Sequence, residues 1–315
     1  MRVGLIDVDG HNYPNLPLMK ISAYHKSKGD HVEWYNPLLS GHMDVVYKSK
    51  VFSFTTDYPY CIDADLVKQG GSGYCIDLEN GKEVYHAEWD ENLPPEIEKI
   101  MPDYSLYNSQ GKAYGFLTRG CPRGCPFCHV AAKEGRKSVQ VADVSDFWAG
   151  QKEMVLMDPN LLACKDSEKL LQQIVSTKAY VDCNQGMDVR LVTNENIGLI
   201  NSVKMRNIHF AWDLMEQSDA VLRGLNVYAK RGKISKGHRS VYVLTNFNTT
   251  FEEDLYRVYK LRELGFLPYT MIYGKEHAPK NVRQLQRWTN NVVIWKSCER
   301  FEDYKPTKKR GDPDA

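Results

Sequence analysis

Three cysteines in one short loop restrict the fold of this chain more than any other feature of its sequence. Cys121, Cys125 and Cys128 follow a predicted strand at residues 113–118, and the loop around them is rich in glycine and proline. Such a loop has no regular hydrogen-bond ladder to satisfy, so its backbone can fold around a metal cluster. Three thiolates can hold three irons of a four-iron cluster and leave the fourth iron open. The spacing therefore predicts a [4Fe-4S] site with one reactive iron, unlike the four-cysteine sites of electron-transfer ferredoxins.

The other cysteines and the N-terminus bear on the cellular compartment. The chain has eight cysteines, and its first residues run directly into an apolar strand pattern with Asp7 and Asp9 close behind. That start lacks the long apolar core of a signal peptide, so we expect a cytoplasmic protein with reduced thiols rather than disulfides. Free cysteine is among the most buried residue types, which favours core positions for the five outside the loop. These are Cys61, Cys75, Cys164, Cys183 and Cys298.

Charge and length exclude some classes of partner. Lys and Arg together number 41 and Asp and Glu number 40, so the net charge of +1 gives no overall attraction to a polyanion. No stretch approaches the ~18 uninterrupted apolar residues of a membrane span, and no membrane partner is expected. A chain of 315 residues suits two domains, or one barrel-sized domain with an appendage.

Strand and helix signals alternate in the first part of the chain. A helical pattern covers residues 16–28, and strand patterns cover residues 3–8, 31–35, 44–52 and 64–68. Strands separated by helices indicate a parallel sheet, so residues 1–92 are predicted to form a small doubly wound α/β domain. Its ligand edge would lie at the carboxyl ends of the strands. A polar stretch with a short helix at 96–100 then predicts a linker over residues 93–112.

The alternation resumes in a longer series from residue 113. Six β/α units fit a partial barrel over residues 113–300, because the eight units of a complete TIM barrel need more chain. Residues 301–315 are polar and broken by Pro and Gly, and are expected to form a disordered tail. The predicted strands are 113–118, 154–157, 179–182, 208–212, 240–244 and 266–272, with helices at 167–177, 219–231 and 250–264 between them.

A Cys-x-x-x-Cys-x-x-Cys loop after the first strand of a six-unit β/α barrel resembles the radical S-adenosylmethionine (radical SAM) superfamily. The resemblance implies an enzyme whose [4Fe-4S] cluster is held by Cys121, Cys125 and Cys128, with S-adenosylmethionine chelating the open iron. It also implies reductive cleavage to a 5′-deoxyadenosyl radical, which abstracts hydrogen from a substrate. Phe127 matches the family's aromatic position near the adenine. An electron donor such as flavodoxin or ferredoxin is implied, while the substrate stays open among small molecules, peptides and RNA.

Polar residues follow several of the predicted barrel strands, where the ligands of a β/α barrel collect. Asp158 and Asn160 follow the second strand, at the place where the family often carries a Gly-Gly-Glu run that holds the methionyl amine. The glycines are missing here, and Asp158 is expected to substitute. Arg190, after the third strand, is expected to meet the methionyl carboxylate, and Asp213 and Asn246 follow the fourth and fifth strands. Each of these has an alternative interpretation as a turn or cap residue.

The first domain resembles the cobalamin-binding domain, a flavodoxin-like or Rossmann-like fold, that precedes many radical SAM barrels. In cobalamin proteins a histidine in Asp-x-His-x-x-Gly ligates cobalt, whereas this chain has Pro14 where the glycine belongs. The resemblance therefore leaves open both cobalamin binding and methyl or methylthio transfer as the reaction. It rests on Asp9-Gly10-His11, Gly70-Gly71-Ser72-Gly73, Leu93-Pro94-Pro95-Glu96-Ile97-Glu98 and Pro102-Asp103-Tyr104.

Two alternatives compete with this interpretation. A structural zinc site could use the three cysteines with His129 as a fourth ligand, although zinc knuckles prefer paired Cys-x-x-Cys hooks from separate segments. A non-catalytic, metal-stabilised nucleic-acid-binding protein would use the basic segments at residues 230–233 and 308–310. Iron and sulfide in the purified protein favour the enzyme, and one zinc per chain favours the binding protein.

Overall fold

The computed structural model describes residues 1–11, 13–79 and 82–305. The predicted tail lies outside these ranges from residue 306 onward. The described structure is mixed α/β with mostly parallel sheets, which confirms the predicted class. None of its helices is long and apolar enough to cross a membrane. The chain forms two compact units, Met1–Val181 and Asp182–Ala315, and the domain boundaries drawn from the sequence stay a prediction.

A four-stranded parallel sheet of order β2-β1-β3-β4 opens the first unit. Helix α1 joins β1 to β2, and the side chain of Asn15 caps it by accepting from the backbone N–H of Leu18. Leu18 and Ile21 pack against Val3 and Leu5, so α1 covers one face of the sheet. The elements are β1 (Arg2–Asp7), α1 (Leu16–Ser27), β2 (His31–Trp34), β3 (Met43–Ser49) and β4 (Ala64–Gly70).

The other face of this sheet has no helix in the described residues, although the doubly wound prediction requires one there. Tyr58 and Ile62, from the connection between β3 and β4, pack instead on a cluster that includes Ile6 and Met43. The connecting segment 50–63 contains Asp, Thr and Pro and lacks an apolar helical period. The turn-forming residues of this segment therefore pack on the sheet as an irregular segment, at the place where a helix was predicted.

The segment predicted as a linker packs against the first sheet. Ile97 is buried in the same cluster as Leu5 and Leu18. The carboxylate of Asp103 accepts hydrogen bonds from α1, from Ser22 Oγ at 2.7 Å and from Lys26 Nζ at 2.6 Å. The elements here are α2 (Ser72–Cys75), β5 (Ile76–Glu79), β6 (Lys82–Tyr85) and α3 (Pro95–Glu98).

The second sheet has the order β11-β10-β7, and β7 and β10 are parallel. The predicted strand 113–118 is divided in two, because β7 ends at Gly115 and the short strand β8 pairs instead with β9 in antiparallel fashion. Residues 120–138, which include the three cysteines, form the excursion between β8 and β9. The elements are β7 (Lys112–Gly115), β8 (Thr118–Arg119), α4 (Val130–Lys133), β9 (Val139–Gln140), β10 (Glu153–Leu156), α5 (Ser167–Thr177) and β11 (Tyr180–Cys183).

A parallel sheet of order β12-β13-β14 forms the centre of the second unit. The predicted helices are present, and α8 begins at a capping box between Thr250 and Glu253. Phe210 and Val241 are fully buried, as is Trp288 of α9. The elements are α6 (Ile197–Ile200), β12 (Ile208–Ala211), α7 (Ser218–Arg231), β13 (Arg239–Thr245), α8 (Phe251–Leu264), β14 (Leu267–Ile272), α9 (Lys280–Asn290) and α10 (Val292–Ser297).

The β11-β10-β7 sheet and the β12-β13-β14 sheet each have an edge strand whose outer backbone groups have no neighbouring strand. Polar side chains form hydrogen bonds with these groups. On β7, the hydroxyl of Tyr104 accepts from the backbone N–H of Tyr114 at 3.1 Å and lies 3.3 Å from its carbonyl oxygen. On β14, Asn290 Oδ1 accepts from the N–H of Thr270 at 2.8 Å, and its Nδ2 donates to the carbonyl of Thr270 at 3.0 Å. A neighbouring strand would need the same groups, so β7 and β14 end their sheets.

Asn290→Leu is expected to lower the free energy of unfolding by about 1–3 kcal/mol, because it leaves the N–H of buried Thr270 without its acceptor. The carbonyl of Thr270 keeps one donor, Gln286 Nε2 at 3.1 Å. Urea denaturation of both proteins measures the difference. The control is Asn226→Leu, which changes an exposed asparagine on α7 that bonds only within its own helix. A variant as stable as the control would contradict the capping role of Asn290.

Candidate functional site

A buried carboxylate fixes the backbone just before the cysteine loop. Asp158 follows β10 and accepts hydrogen bonds from Thr118 N at 2.5 Å, Thr118 Oγ1 at 2.7 Å and Leu117 N at 3.1 Å. Its side chain takes the backbone donors that would otherwise continue strand β7, which explains the break in the predicted strand. Asp158 therefore has a structural role here, and its predicted contact with the methionyl amine stays a prediction.

A second carboxylate closes the base of the loop. Glu134 accepts from Arg119 Nη1 at 2.8 Å and from the backbone N–H of Gly120 at 3.1 Å. One residue further on, the N–H of Cys121 donates to the carbonyl of Gly135 at 3.0 Å. Both ends of the segment that carries the cysteines are therefore tied together by hydrogen bonds.

Glycine is required where the loop begins. Gly120 has a φ of +83°, and a Cβ at this position would lie 2.2 Å from the carbonyl oxygen of Lys137. No side chain fits such a contact, and the left-handed backbone also disfavours other residues. The chain can therefore turn directly from β8 into the cysteine loop only with glycine at position 120.

The three predicted metal ligands have different exposures. Cys121 and Cys125 are partly exposed and Cys128 is exposed. Asn160 is 4% exposed, and its Nδ2 lies 3.6 Å from Cys121 Sγ. Three soft thiol donors in one loop, with an amide donor beside one of them, are chemically suited to an iron–sulfur cluster.

The thiols do not converge on one point in this structure. Among residues 1–11, 13–79 and 82–305, no three His, Cys, Asp or Glu side chains are grouped closely enough to hold a metal ion. Metal binding and ordering of the ligand loop are commonly coupled in small metal sites. The metal site therefore stays a prediction, and what the structure provides is a loop whose base is held by Asp158 and Glu134.

The short helix α4, which follows the cysteines, is anchored to the segment around the β5–β6 hairpin. Lys133 Nζ contacts Asp90 Oδ2 at 2.5 Å and the buried thiol of Cys75 at 3.2 Å. His129 Nδ1 lies 2.5 Å from Glu83 Oε2. These contacts hold the end of the cysteine loop that leads into α4. They also engage Nδ1 of His129, the fourth ligand in the zinc alternative.

In the second unit, Arg190 is held by neighbouring side chains. Its Nε and Nη2 donate to the two carboxylate oxygens of Asp188 at 2.6 and 3.0 Å, and Nη1 donates to Gln217. Asp188 also caps the turn that carries Arg190 by accepting from its backbone N–H. The guanidinium is therefore fixed in position and its charge is largely balanced within the unit.

Asp213 and Asn246 lie at the carboxyl ends of β12 and β13. Burial raises the pKa of Asp213 to about 6, while the N–H of Leu244 and the charges of Arg257 and Arg190 oppose the increase. Asn246 has a left-handed φ of +61° and donates from Nδ2 to the carbonyl of Tyr273 at 2.8 Å. The charge of Arg190 thus acts on Asp213, and Asn246 forms a turn. The ligand-binding roles expected for these three residues stay predictions.

Sequence reasoning did not identify the arginine that joins these strand ends. Arg257 is fully buried and donates to the carbonyl oxygens of Trp212 and Leu244, both at 2.7 Å, and to Asp254 Oδ1 at 2.5 Å. Arginine on a helix of charged residues normally indicates a solvent-exposed face. A clue was available in the spacing of α8, because Arg257 lies three residues after Asp254 and four before Leu261, on the buried face of the helix.

The residues that suggested cobalamin are engaged in packing at the edge of the first sheet. Asp9 accepts from the N–H groups of Val51 and Phe52, at 2.9 and 2.8 Å. A Cβ on Gly71 would lie 2.3 Å from the carbonyl oxygen of Lys50. Gly71 therefore allows close approach of the chain's own segment, and cobalamin binding stays a prediction.

The basic segments proposed for nucleic acid give little support to that alternative. Arg231 Nη1 donates to the carbonyl and side-chain oxygens of Asn194, at 3.1 and 3.0 Å. Residues 308–310 lie outside the described residues. No described contact therefore distinguishes a nucleic-acid surface.

No protein-family model matches this chain, and no curated protein sequence matches it significantly. The argument for a function consequently depends on the cysteine loop and its surroundings. The loop carries Cys121, Cys125, Cys128 and partly exposed Phe127, and the structure places Asp158 and Asn160 beside it. Arg190, Asp213 and Asn246 belong to the second unit.

Asp158→Asn is expected to change how stability depends on pH. Burial raises the pKa of Asp158 to about 6 from the usual 3.8, and its three hydrogen-bond donors limit the increase. Between those values the folded protein binds more protons than the unfolded chain, so the Asp158 contribution to stability falls as pH rises. From about pH 4.5 to about pH 7, wild type should lose about 2 kcal/mol relative to Asp158→Asn.

Urea denaturation of the cluster-free proteins at several pH values measures this difference. Asp77→Asn, a change at an exposed aspartate of β5, should show the wild-type dependence. Parallel curves for wild type and Asp158→Asn would mean that the pKa of Asp158 is not raised in the folded protein.

Proposed function

We propose that this chain is a radical SAM enzyme whose [4Fe-4S] cluster is held by Cys121, Cys125 and Cys128. The observation that carries the proposal is a loop with three thiols and no fourth cysteine, tied at its base by Asp158 and Glu134. When bound, the cluster supplies the electron for reductive cleavage of S-adenosylmethionine to methionine and a 5′-deoxyadenosyl radical, which acts on a substrate.

The residues around the loop have positioning roles in this proposal. Asp158 fixes the backbone of Leu117 and Thr118, so the loop leaves the sheet at a defined point. Glu134 holds the entry and exit of the loop together. These hydrogen bonds already restrict the loop, so less conformational entropy would be lost when a cluster binds.

A partial (β/α)6 barrel is the architecture that we propose for residues 113–300. It is supported by the six predicted strands, which are present as β7, β10, β11, β12, β13 and β14. In the described residues these strands belong to two three-stranded sheets, β11-β10-β7 and β12-β13-β14, and side chains cap the free edges of β7 and β14. Polar residues at the carboxyl ends of the strands are consistent with a ligand site on that side.

We propose that Phe127 contacts the adenine and that Arg190 and Asp213 bind polar groups of S-adenosylmethionine. Arg190 is oriented by Asp188 and Gln217, so it can donate hydrogen bonds without a large loss of side-chain freedom. Methyl transfer through cobalamin is not part of the proposal, because Asp9 and Gly71 contact the chain's own backbone. A reduced flavodoxin or ferredoxin would deliver the electron.

Cluster assembly is expected to require the three loop cysteines and no others. Anaerobic reconstitution with iron and sulfide should give about four irons per chain in wild type. Cys121→Ala, Cys125→Ala and Cys128→Ala should each lose most of this iron, because each removes one of only three protein ligands. Cys164→Ala and Cys298→Ala are matched controls outside the loop and should retain it. Near-normal iron in Cys125→Ala, or one zinc per wild-type chain, would contradict the proposal.

Reduced, cluster-loaded protein is expected to cleave S-adenosylmethionine slowly without added substrate. Cleavage needs the open iron and a reductant, whereas the protein supplies binding and orientation. Chromatographic detection of 5′-deoxyadenosine and methionine under dithionite is the measurement, and Cys125→Ala is the negative control. Absence of both products from protein with a full cluster would count against radical chemistry.

A further inference from the structure

Asn160, one of the predicted ligands of S-adenosylmethionine, lies beside a cysteine sulfur. The side-chain Nδ2 of Asn160 is 3.6 Å from Cys121 Sγ, within the range of an N–H···S hydrogen bond. Asn160 is 4% exposed and Cys121 is partly exposed, so the donor is buried and the contact is half-buried. The amide has two N–H groups and can donate to the sulfur whether it is a thiol or a thiolate.

The backbone of Asn160 holds this side chain in place. Asn160 precedes the 3₁₀ helix Leu161–Ala163 at the N-cap position, where an asparagine side chain usually accepts from the backbone of the first turn. No such cap is formed. The carbonyl oxygen of Asn160 accepts from Ser138 Oγ at 2.8 Å and from Ala163 N at 3.3 Å. The chain is therefore anchored through its backbone, and the side-chain amide is directed to Cys121.

A hydrogen bond to a cluster sulfur changes the reduction potential of the cluster. An N–H donor stabilises negative charge on the thiolate, and the reduced cluster carries one more negative charge than the oxidised cluster. The donor therefore stabilises the reduced state more and raises the potential. Burial strengthens this effect, because electrostatic interactions are less screened away from water.

We infer that Asn160 sets the reduction potential of the proposed cluster by donating a hydrogen bond to Cys121. The inference rests on the proposed function and assigns Asn160 as a positioning residue, which acts through the cysteine rather than by contacting S-adenosylmethionine. Its amide makes the cluster easier to reduce by the electron donor. Ser138 supports this role by holding the backbone of Asn160.

Two substitutions at position 160 separate the electrostatic role from a purely structural one. Asn160→Leu keeps a similar volume and removes the donor, so the potential should become more negative. Asn160→Asp replaces the donor with a carboxylate near the sulfur, so the potential should fall further. Redox titration of reconstituted protein, followed by the electron paramagnetic resonance signal of the reduced cluster, should give the order wild type, Asn160→Leu, Asn160→Asp. Asn226→Leu, on exposed α7, should match wild type.

Iron and sulfide analysis and circular dichroism are measured first on every variant. If Asn160→Leu loses its fold, Asn160→Asp and Ser138→Ala decide the question, because Ser138→Ala removes only the tether and should lower the potential by a smaller amount. Fully loaded variants with the wild-type potential would overturn the inference and leave the cluster assignment intact. A wild-type protein that assembles no cluster would instead overturn the proposed function.

Discussion

The carboxylate of Asp158 is the interaction on which the candidate site depends. It accepts three hydrogen bonds from Leu117 and Thr118 in the interior of the first unit, and these bonds end β7 and start the excursion that carries the cysteines. A buried carboxylate without donors would cost several kcal/mol. The arrangement is stable because the N–H groups of Leu117 and Thr118, which no longer bond to a neighbouring strand of the sheet, donate to the carboxylate. The break in the strand and the burial of Asp158 therefore depend on each other.

The two strand edges are controlled by the same physical constraint, which is that buried backbone groups need partners. The Tyr104 hydroxyl accepts from the N–H of Tyr114 on β7, and the side chains of Asn290 and Gln286 bond to the backbone of Thr270 on β14. In the second unit, Arg257 donates hydrogen bonds to the carbonyl oxygens of Trp212, after β12, and of Leu244, near the end of β13. Polar side chains thus occupy backbone groups at the edges of these sheets and at the ends of their strands.

Much of the fold followed from hydrophobic periodicity. The helix at 167–177 and the strands around residues 208–212 and 266–272 have strong patterns, and the structure contains them within a residue or two. The second layer of the first sheet was not predictable in this way. Turn-forming residues in segment 50–63 replace a helix there, and the packing of Tyr58 and Ile62 depends on a cluster that forms only in the folded chain.

The sequence by itself determined the α/β class and the presence of three thiols in one loop, because spacing and periodicity are local properties of the chain. It also indicated which residues follow the strands. Tertiary structure decided what those residues contact. Asp158 binds backbone, Asn160 approaches Cys121, and Arg190 pairs with Asp188. Such contacts depend on side-chain direction and burial, and they can join residues forty positions apart in sequence. A polar residue after a strand looks the same in the sequence whether it forms a turn or binds a ligand, until its contacts are known.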